Sequence, residues 1–151
     1  MKPKEYLSQA LRFKRRYENA LEELEYIRSM ATGLTAIRYD KDQVQTSPEN
    51  DQLANYMIRL EKAEKKALKA SEDYFTAHEV IRMQIEIISP QLYADVLRLR
   101  YIKGRKLYEI ADELSYSYEW LRIIHGRALR EFGACFPEVL KQETKTYNGK
   151  C

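Results

Sequence analysis

Two histidines, two cysteines and several adjacent carboxylates are the raw material of hydrolytic and metal sites, and their spacing in this chain keeps them apart. His78 and His125 fall in different helical segments. Neither shares a motif with Cys135 or Cys151, and no CxxC or paired-histidine spacing surrounds the cysteines. A metal site and a disulfide framework are therefore not expected, and the thiols read as reduced. Glu22-Glu23 and Glu72-Asp73 sit in charged helical runs. Neighbours in sequence do not face each other on a helix, so these pairs read as solvated faces rather than as an acid and a base sharing one site. With five glycines in all and no phosphate-cradling glycine loop, the chain is not expected to be an enzyme, nor to need a cofactor.

A different chemistry, recognition of a polyanion, is better supplied. In KLYEIADELSYSYEWLRIIHGRALREF, Lys106 to Phe132, the apolar positions Leu121, Ile124 and Ala128 share one helical face. Turned inward, they leave Tyr118, Glu119, Trp120, Arg122, Ile123, His125 and Arg127 outside. A merely solvated face carries Lys, Glu and Gln in place of Trp and Ile. Arg can donate two hydrogen bonds to a guanine edge, Glu can accept from cytosine, and apolar side chains can meet thymine methyl groups. Ser117 is placed to cap this helix, His125 to meet a phosphate, and Lys106 and Arg130 to add charge at the two ends of the segment. These ten residues, Lys106, Ser117, Tyr118, Glu119, Trp120, Arg122, Ile123, His125, Arg127 and Arg130, are the candidate DNA contacts.

Charge distribution points the same way. The chain carries +3 overall, whereas Arg98 to Arg130 has eight basic residues against four acidic ones, a local +4 that leaves the remainder at −1. Basic charge gathered in one window adds sequence-independent affinity for a polyanion by displacing condensed counterions.

The elements that must hold this face are helices. Hydrophobic residues make up 44% and charged residues 32% of the 151 residues, with few Gly and Pro, so an all-α fold is expected. From Lys4 to about Met30, Leu7, Leu11, Phe13, Tyr17, Leu21, Leu24 and Ile27 recur at three- and four-residue steps, the pattern of one helical stripe. A loop is expected over about 31–47, where Gly33, Thr and Asp interrupt the period. Ser47 then offers a cap and Pro48 a first helical position. The helix that follows runs without Gly or Pro to Ile88, about 60 Å at 1.5 Å per residue. Its apolar line includes Leu53, Leu60, Ala63, Ala67, Tyr74 and Ile81, and its Ala-rich middle lets an antiparallel helix come close. Such a hairpin buries little by itself, so self-association through the long helices or docking on a partner is expected. Ser89-Pro90 ends it.

Past that break come a helix closed by Gly104, a helix at Leu107 to Leu114, and one from Ser117 to Phe132, with Ala111 where the last two touch and Tyr116 plugging the turn between them. Three parts follow: a helical hairpin arm at 1–88, a helix-turn-helix domain at 89–133, and a tail at 134–151 that frays beyond about Lys141. No segment has the apolar length of a signal peptide or a membrane span, so a cytoplasmic location without a membrane partner is expected.

Ser89 to Phe132, through LRYIKG, EIADEL, the capping Ser117 and HGRALREF, resembles the fourth conserved region of bacterial sigma factors, a helix-turn-helix that reads an upstream promoter element and touches the RNA polymerase flap. Small sigma-like regulators of phages and mobile elements, including late-gene regulators of the ArpU kind, are similar over a longer stretch, because YDKDQVQTSPENDQL is like a segment they carry. The resemblance implies that Tyr118, Glu119, Trp120, Arg122, Ile123 and Arg127 stand at base and phosphate contacts. Tyr118, Trp120 and Ile123 replace the polar or basic residues usual there, so the promoter sequence does not carry over. The chain has no room for the sigma region that melts promoter DNA.

The functional expectation is a sequence-specific, double-stranded-DNA-binding transcription regulator of phage or mobile-element origin, with the RNA polymerase flap as a further partner. Two alternatives use the same parts. A small terminase subunit also joins a helix-turn-helix to ring-forming helices, and a helical interaction module could retain a degenerate helix-turn-helix.

Overall fold

The structure, a computed structural model, describes residues 1–39 and 48–141. The protein is all-α, with long helices in its N-terminal half and no strand among the described residues. In chain order the helices are α1 (Pro3–Leu7), α2 (Gln9–Tyr39), α3 (Pro48–Glu86), α4 (Gln91–Leu97), a π turn at Arg98–Ile102, α5 (Leu107–Leu114), α6 (Tyr118–Cys135) and α7 (Pro137–Lys141). No helix among the described residues is long and apolar enough to cross a membrane.

Packing divides the chain elsewhere than at residue 88. Met1–Arg12 and the described residues from Phe75 to Lys141 form one compact unit, and the described residues of Phe13–Tyr74 form the other. Composition places Tyr6 and Leu7 with the arm. The structure buries them, with Ala10, against Ile81 and Ile85 of α3, Ile88 just past its end, and Ala128 and Phe132 of α6. The Tyr6 and Phe132 rings stack at 5.9 Å, and the Tyr6 hydroxyl donates to Gln84 Oε1 at 2.9 Å. Helix periodicity shows that these residues share a stripe, but the surface that covers the stripe is fixed only by contacts far along the chain.

Phe13–Tyr74 is an antiparallel helix pair. Ala20, Leu24 and Ile27 of α2 bury against Ala63 and Ala67 of α3, with Leu21, Tyr56, Leu60 and Ala70 at the margin. The small Ala63 and Ala67 side chains admit the partner helix, as the Ala-rich middle predicts. Tyr17 stacks on Tyr74 at 6.0 Å, and Lys66 pairs with Glu23 at 2.8 Å. The apolar line of α3 is thus covered within the chain at Leu60, Ala63 and Ala67. Leu53, Met57 and Leu68 are among the exposed apolar residues of this unit.

Two local expectations change. The loop expected from residue 31 starts too early, since α2 continues to Tyr39; one interior glycine costs about 1 kcal/mol, which a long helix absorbs. Residues 40–47 of that loop, with the Ser47 cap, lie outside the described residues. The tail expected from 134 is helical through Lys141, because Phe136, Val139 and Leu140 pack on the core beside Phe132, with the Phe132 and Phe136 rings 4.9 Å apart. The rest of the tail, with Cys151, lies outside the described residues.

Candidate nucleic-acid interface

Local signals set α5 and α6. At the start of α5 the Lys106 amide donates to Glu109 Oε2 at 2.8 Å, giving one orphan N–H of the first turn a partner. α5 ends without glycine. Ser115 takes left-handed geometry at φ 59, its amide donates to the Asp112 carbonyl at 3.3 Å, and the Tyr116 amide donates to that of Ala111 at 2.9 Å. This paired closure satisfies carbonyls that the helix end would orphan. Tyr116 therefore does not plug the turn; its side chain is 39% exposed. Ser117 opens α6, its hydroxyl oxygen accepting from the Trp120 amide at 3.2 Å, as the sequence predicts for a capping serine.

Leu121, Ile124, Ala128 and Phe132 of α6 are buried, and the helix packs against α1, α4 and α5. Ile110 and Ala111 of α5 meet Leu121 and Ile124 in a small core with Val96 and Leu99. Ala111 lets the helices approach where a larger side chain would hold them apart.

Nine of the ten candidate residues are exposed, seven of them on α6. Tyr118, Trp120 and Ile123 are 48%, 41% and 46% exposed, and Lys106, Ser117, Glu119, Arg122, Arg127 and Arg130 are exposed as well. The Arg122 guanidinium lies over the Tyr118 ring at 5.8 Å, the Arg127 guanidinium over the Trp120 ring at 5.5 Å, and the Lys106 amine over the Tyr108 ring at 5.8 Å. Each ring holds its cation loosely through the negative face of the π system while the N–H groups stay open to solvent. Arg98 and Arg105, by contrast, pair with Asp95 and Glu113, and Arg100 donates to the Arg105 carbonyl at 3.1 Å. Those three arginines brace the fold. Among the described residues, the unmatched positive charge of this window therefore lies on α6 and at Lys103 and Lys106.

His125 is the exception, and its assignment as a phosphate contact is corrected. It is 9% exposed, and its Nε2 shares a 2.8 Å hydrogen bond with the hydroxyl of buried Tyr101. Burial, with the nearby charges of Arg100 and Lys4, brings its pKa down to about 4; burial pushes that of Tyr101 up to about 12. Both groups are neutral near pH 7. Position 125 follows Leu121 by four residues and precedes Ala128 by three, so helical spacing alone already admits it to the inner face.

The other grouping of charge is an open groove of ≈ 370 Å³ between α2 and α3, lined in part by Arg16, Glu23, Lys66, Lys69 and Asp73. Lys66 is paired with Glu23 and Lys69 with Asp73, which leaves little unmatched charge to hold a ligand. Cys135 is free and exposed, its thiol donating to Glu131 Oε1 at 3.7 Å.

No protein-family model, curated protein or solved structure matches this chain.

Proposed function

We propose that this protein is a sequence-specific, double-stranded-DNA-binding transcription regulator in which α5 and α6 form a helix-turn-helix and α6 enters the major groove. One observation carries the reading: the exposed face of α6 combines Arg122, Arg127 and Arg130 with Tyr118, Trp120 and Ile123, with no acidic partner on these arginines among the described residues. An exposed Trp and Ile are poorly suited to water and well suited to thymine methyl groups, while the arginines can meet guanine edges and phosphates. Residues at the start of a recognition helix are those that reach base edges, which gives Arg122 the base-reading role and leaves Arg127 and Arg130 for the backbone.

The sigma-like resemblance adds the RNA polymerase flap as a second partner, the cytoplasm as the location, and a phage or mobile element as the source. On this reading the α2–α3 pair of Phe13–Tyr74 serves as the arm for self-association or docking, with exposed Leu53, Met57 and Leu68 as its contact residues. Titration of the full chain with duplex DNA at several salt concentrations tests the proposal. With about four phosphates neutralised, log K falls against log salt with a slope of about −3.6, so affinity drops on the order of a hundredfold between about 50 and 200 mM. A flat response would remove the electrostatic half of the reading.

A further inference from the structure

Among the described residues, His125 is the only buried side chain outside the apolar and tyrosine set, and its partner, Tyr101, comes from the π turn at Arg98–Ile102. We infer that the Tyr101–His125 hydrogen bond is a positioning contact that sets the rotation of α6 about its own axis, and with it the side chains that α6 presents to DNA. This inference rests on the reading of α6 as the DNA-facing helix.

Leu121, Ile124, Ala128 and Phe132 seat α6 through apolar contact, which is strong but non-directional. A helix can roll by a fraction of a residue on such a seat with small loss of buried area. A hydrogen bond between two buried groups is directional, and leaving either group unpaired is costly. Its position on the helix makes that direction matter. At about 100° per residue, the buried arc of α6 runs from Ile124 to His125, so His125 stands at one edge of the arc, about 20° from Tyr118 and about 60° from Arg122. Trp120 and Arg127 flank the opposite edge, beside Ile124. A roll that freed His125 would move the Tyr118–Arg122 stack and the Trp120–Arg127 stack in concert.

The anchor itself is held firmly. Tyr101 is buried, its ring stacks on that of His125 at 5.8 Å, and Arg100 lies 5.9 Å from the Tyr101 centroid. The Lys103 amide donates to the Arg98 carbonyl at 3.1 Å and the Arg105 amide to that of Leu99 at 3.0 Å, fixing the wide turn from which Tyr101 projects. Turns of this kind recur at functional sites. An apolar pair of the same shape can fill the space at little or no cost in stability; what it lacks is a defined direction. The charged groups near His125, Arg100 of the π turn and Lys4 of α1, are both positive, so they oppose its protonation and keep the ring available as a neutral partner.

The full chain contains a single tryptophan, Trp120, so acrylamide quenching of its fluorescence reports the outer face of α6 directly. Tyr101→Phe keeps the ring and removes the hydroxyl. With helicity preserved by circular dichroism, the expected results are changed Trp120 quenching and a fall of about fivefold, the size of one mid-range hydrogen bond, in the preference for a selected duplex over a random one, while the salt slope stays the same. Unchanged quenching in a folded Tyr101→Phe variant would overturn it. Should that variant fail to fold, His125→Gln, whose amide can still meet the Tyr101 hydroxyl, is compared with His125→Leu, which cannot. Quenching preserved in Gln and altered in Leu supports the inference; the two behaving alike overturns it. If the parent protein bound no DNA, the proposed function would fail, and the Trp120 readout would still decide whether the pair sets the helix.

Discussion

The Arg127 guanidinium lies over the Trp120 ring at 5.5 Å, seven residues and about two helical turns further along α6. The contact joins the beginning of the exposed face to its middle. The ring presents a flat apolar surface on one side of the arginine, and the guanidinium keeps its N–H groups available on the other.

Arg127→Ala should weaken binding to every duplex alike and flatten the salt slope by about one unit, because one phosphate contact releases roughly one counterion. Gel-shift titrations on a selected and a random duplex across a salt series measure both quantities. A loss confined to the selected duplex would move Arg127 from the backbone to a base edge.

Gly126 stands on the partly exposed side of α6 with helical geometry, and a methyl group added there meets no atom within 4 Å beyond its chain neighbours and the adjoining helix backbone. Interior glycine costs a helix about 1 kcal/mol relative to alanine. Gly126→Ala should therefore raise unfolding stability by about 0.5 to 1 kcal/mol. If DNA backs closely onto this part of the helix, the same change weakens DNA binding. Urea unfolding and a binding titration on the same sample separate the effects, and a stabilised variant with undiminished DNA affinity would show that the space serves nothing.

The inward and outward faces of α6 predict opposite mutational behaviour. Leu121 is fully buried and Ile123 is not. Leu121→Ala should destabilise the protein by about 2 to 5 kcal/mol, whereas Ile123→Ala should change stability by no more than about 0.5 kcal/mol while reducing specific DNA affinity. Equal destabilisation by the two, measured by urea unfolding, would mean that the helix is seated on a different face.

Acid should expose the His125 burial. Its pKa is down at about 4 in the folded protein, chiefly through burial and then through Arg100 and Lys4, against about 6.5 in an unfolded chain. Between those values the unfolded state binds a proton that the folded state excludes. The stability this contributes is fully present above about pH 6.5 and is lost as pH falls toward about 4, by about 3 kcal/mol in all; below that both states are protonated and nothing more is lost. Urea unfolding of the parent and of His125→Leu from pH 7 to 4 isolates the group, since the carboxylates are common to both. Parallel pH dependences would contradict the burial.

Much of α5 and α6 is legible in the sequence because its causes are local. Ser117 caps the helix it precedes, and the three- and four-residue steps from Ile110 to Ala128 mark the inner face. Features with distant causes are not legible. His125 turns inward to meet Tyr101, twenty-four residues earlier, and a histidine among arginines reads more readily as a phosphate ligand than as a core group. The same holds for Tyr6 and Leu7, whose cover comes from α3 and α6. Ser115 closes α5 in left-handed geometry without the glycine that would announce it, and α2 runs through Gly33 because the length of the helix outweighs a single unfavourable residue.

Arg122 is the residue on which DNA reading by α6 depends most directly. It sits one turn inside the capped start of α6, with its guanidinium over the Tyr118 ring at 5.8 Å, a position from which a recognition helix reaches a base edge. Binding of Arg122→Ala is measured on a duplex selected from a random pool and on random DNA, with circular dichroism to confirm that the chain is folded. The prediction is a loss of about 1 to 3 kcal/mol on the selected duplex, relaxed preference at one base pair, and little change on random DNA. Full retention of specific binding by a folded Arg122→Ala would contradict the claim that this face of α6 reads DNA.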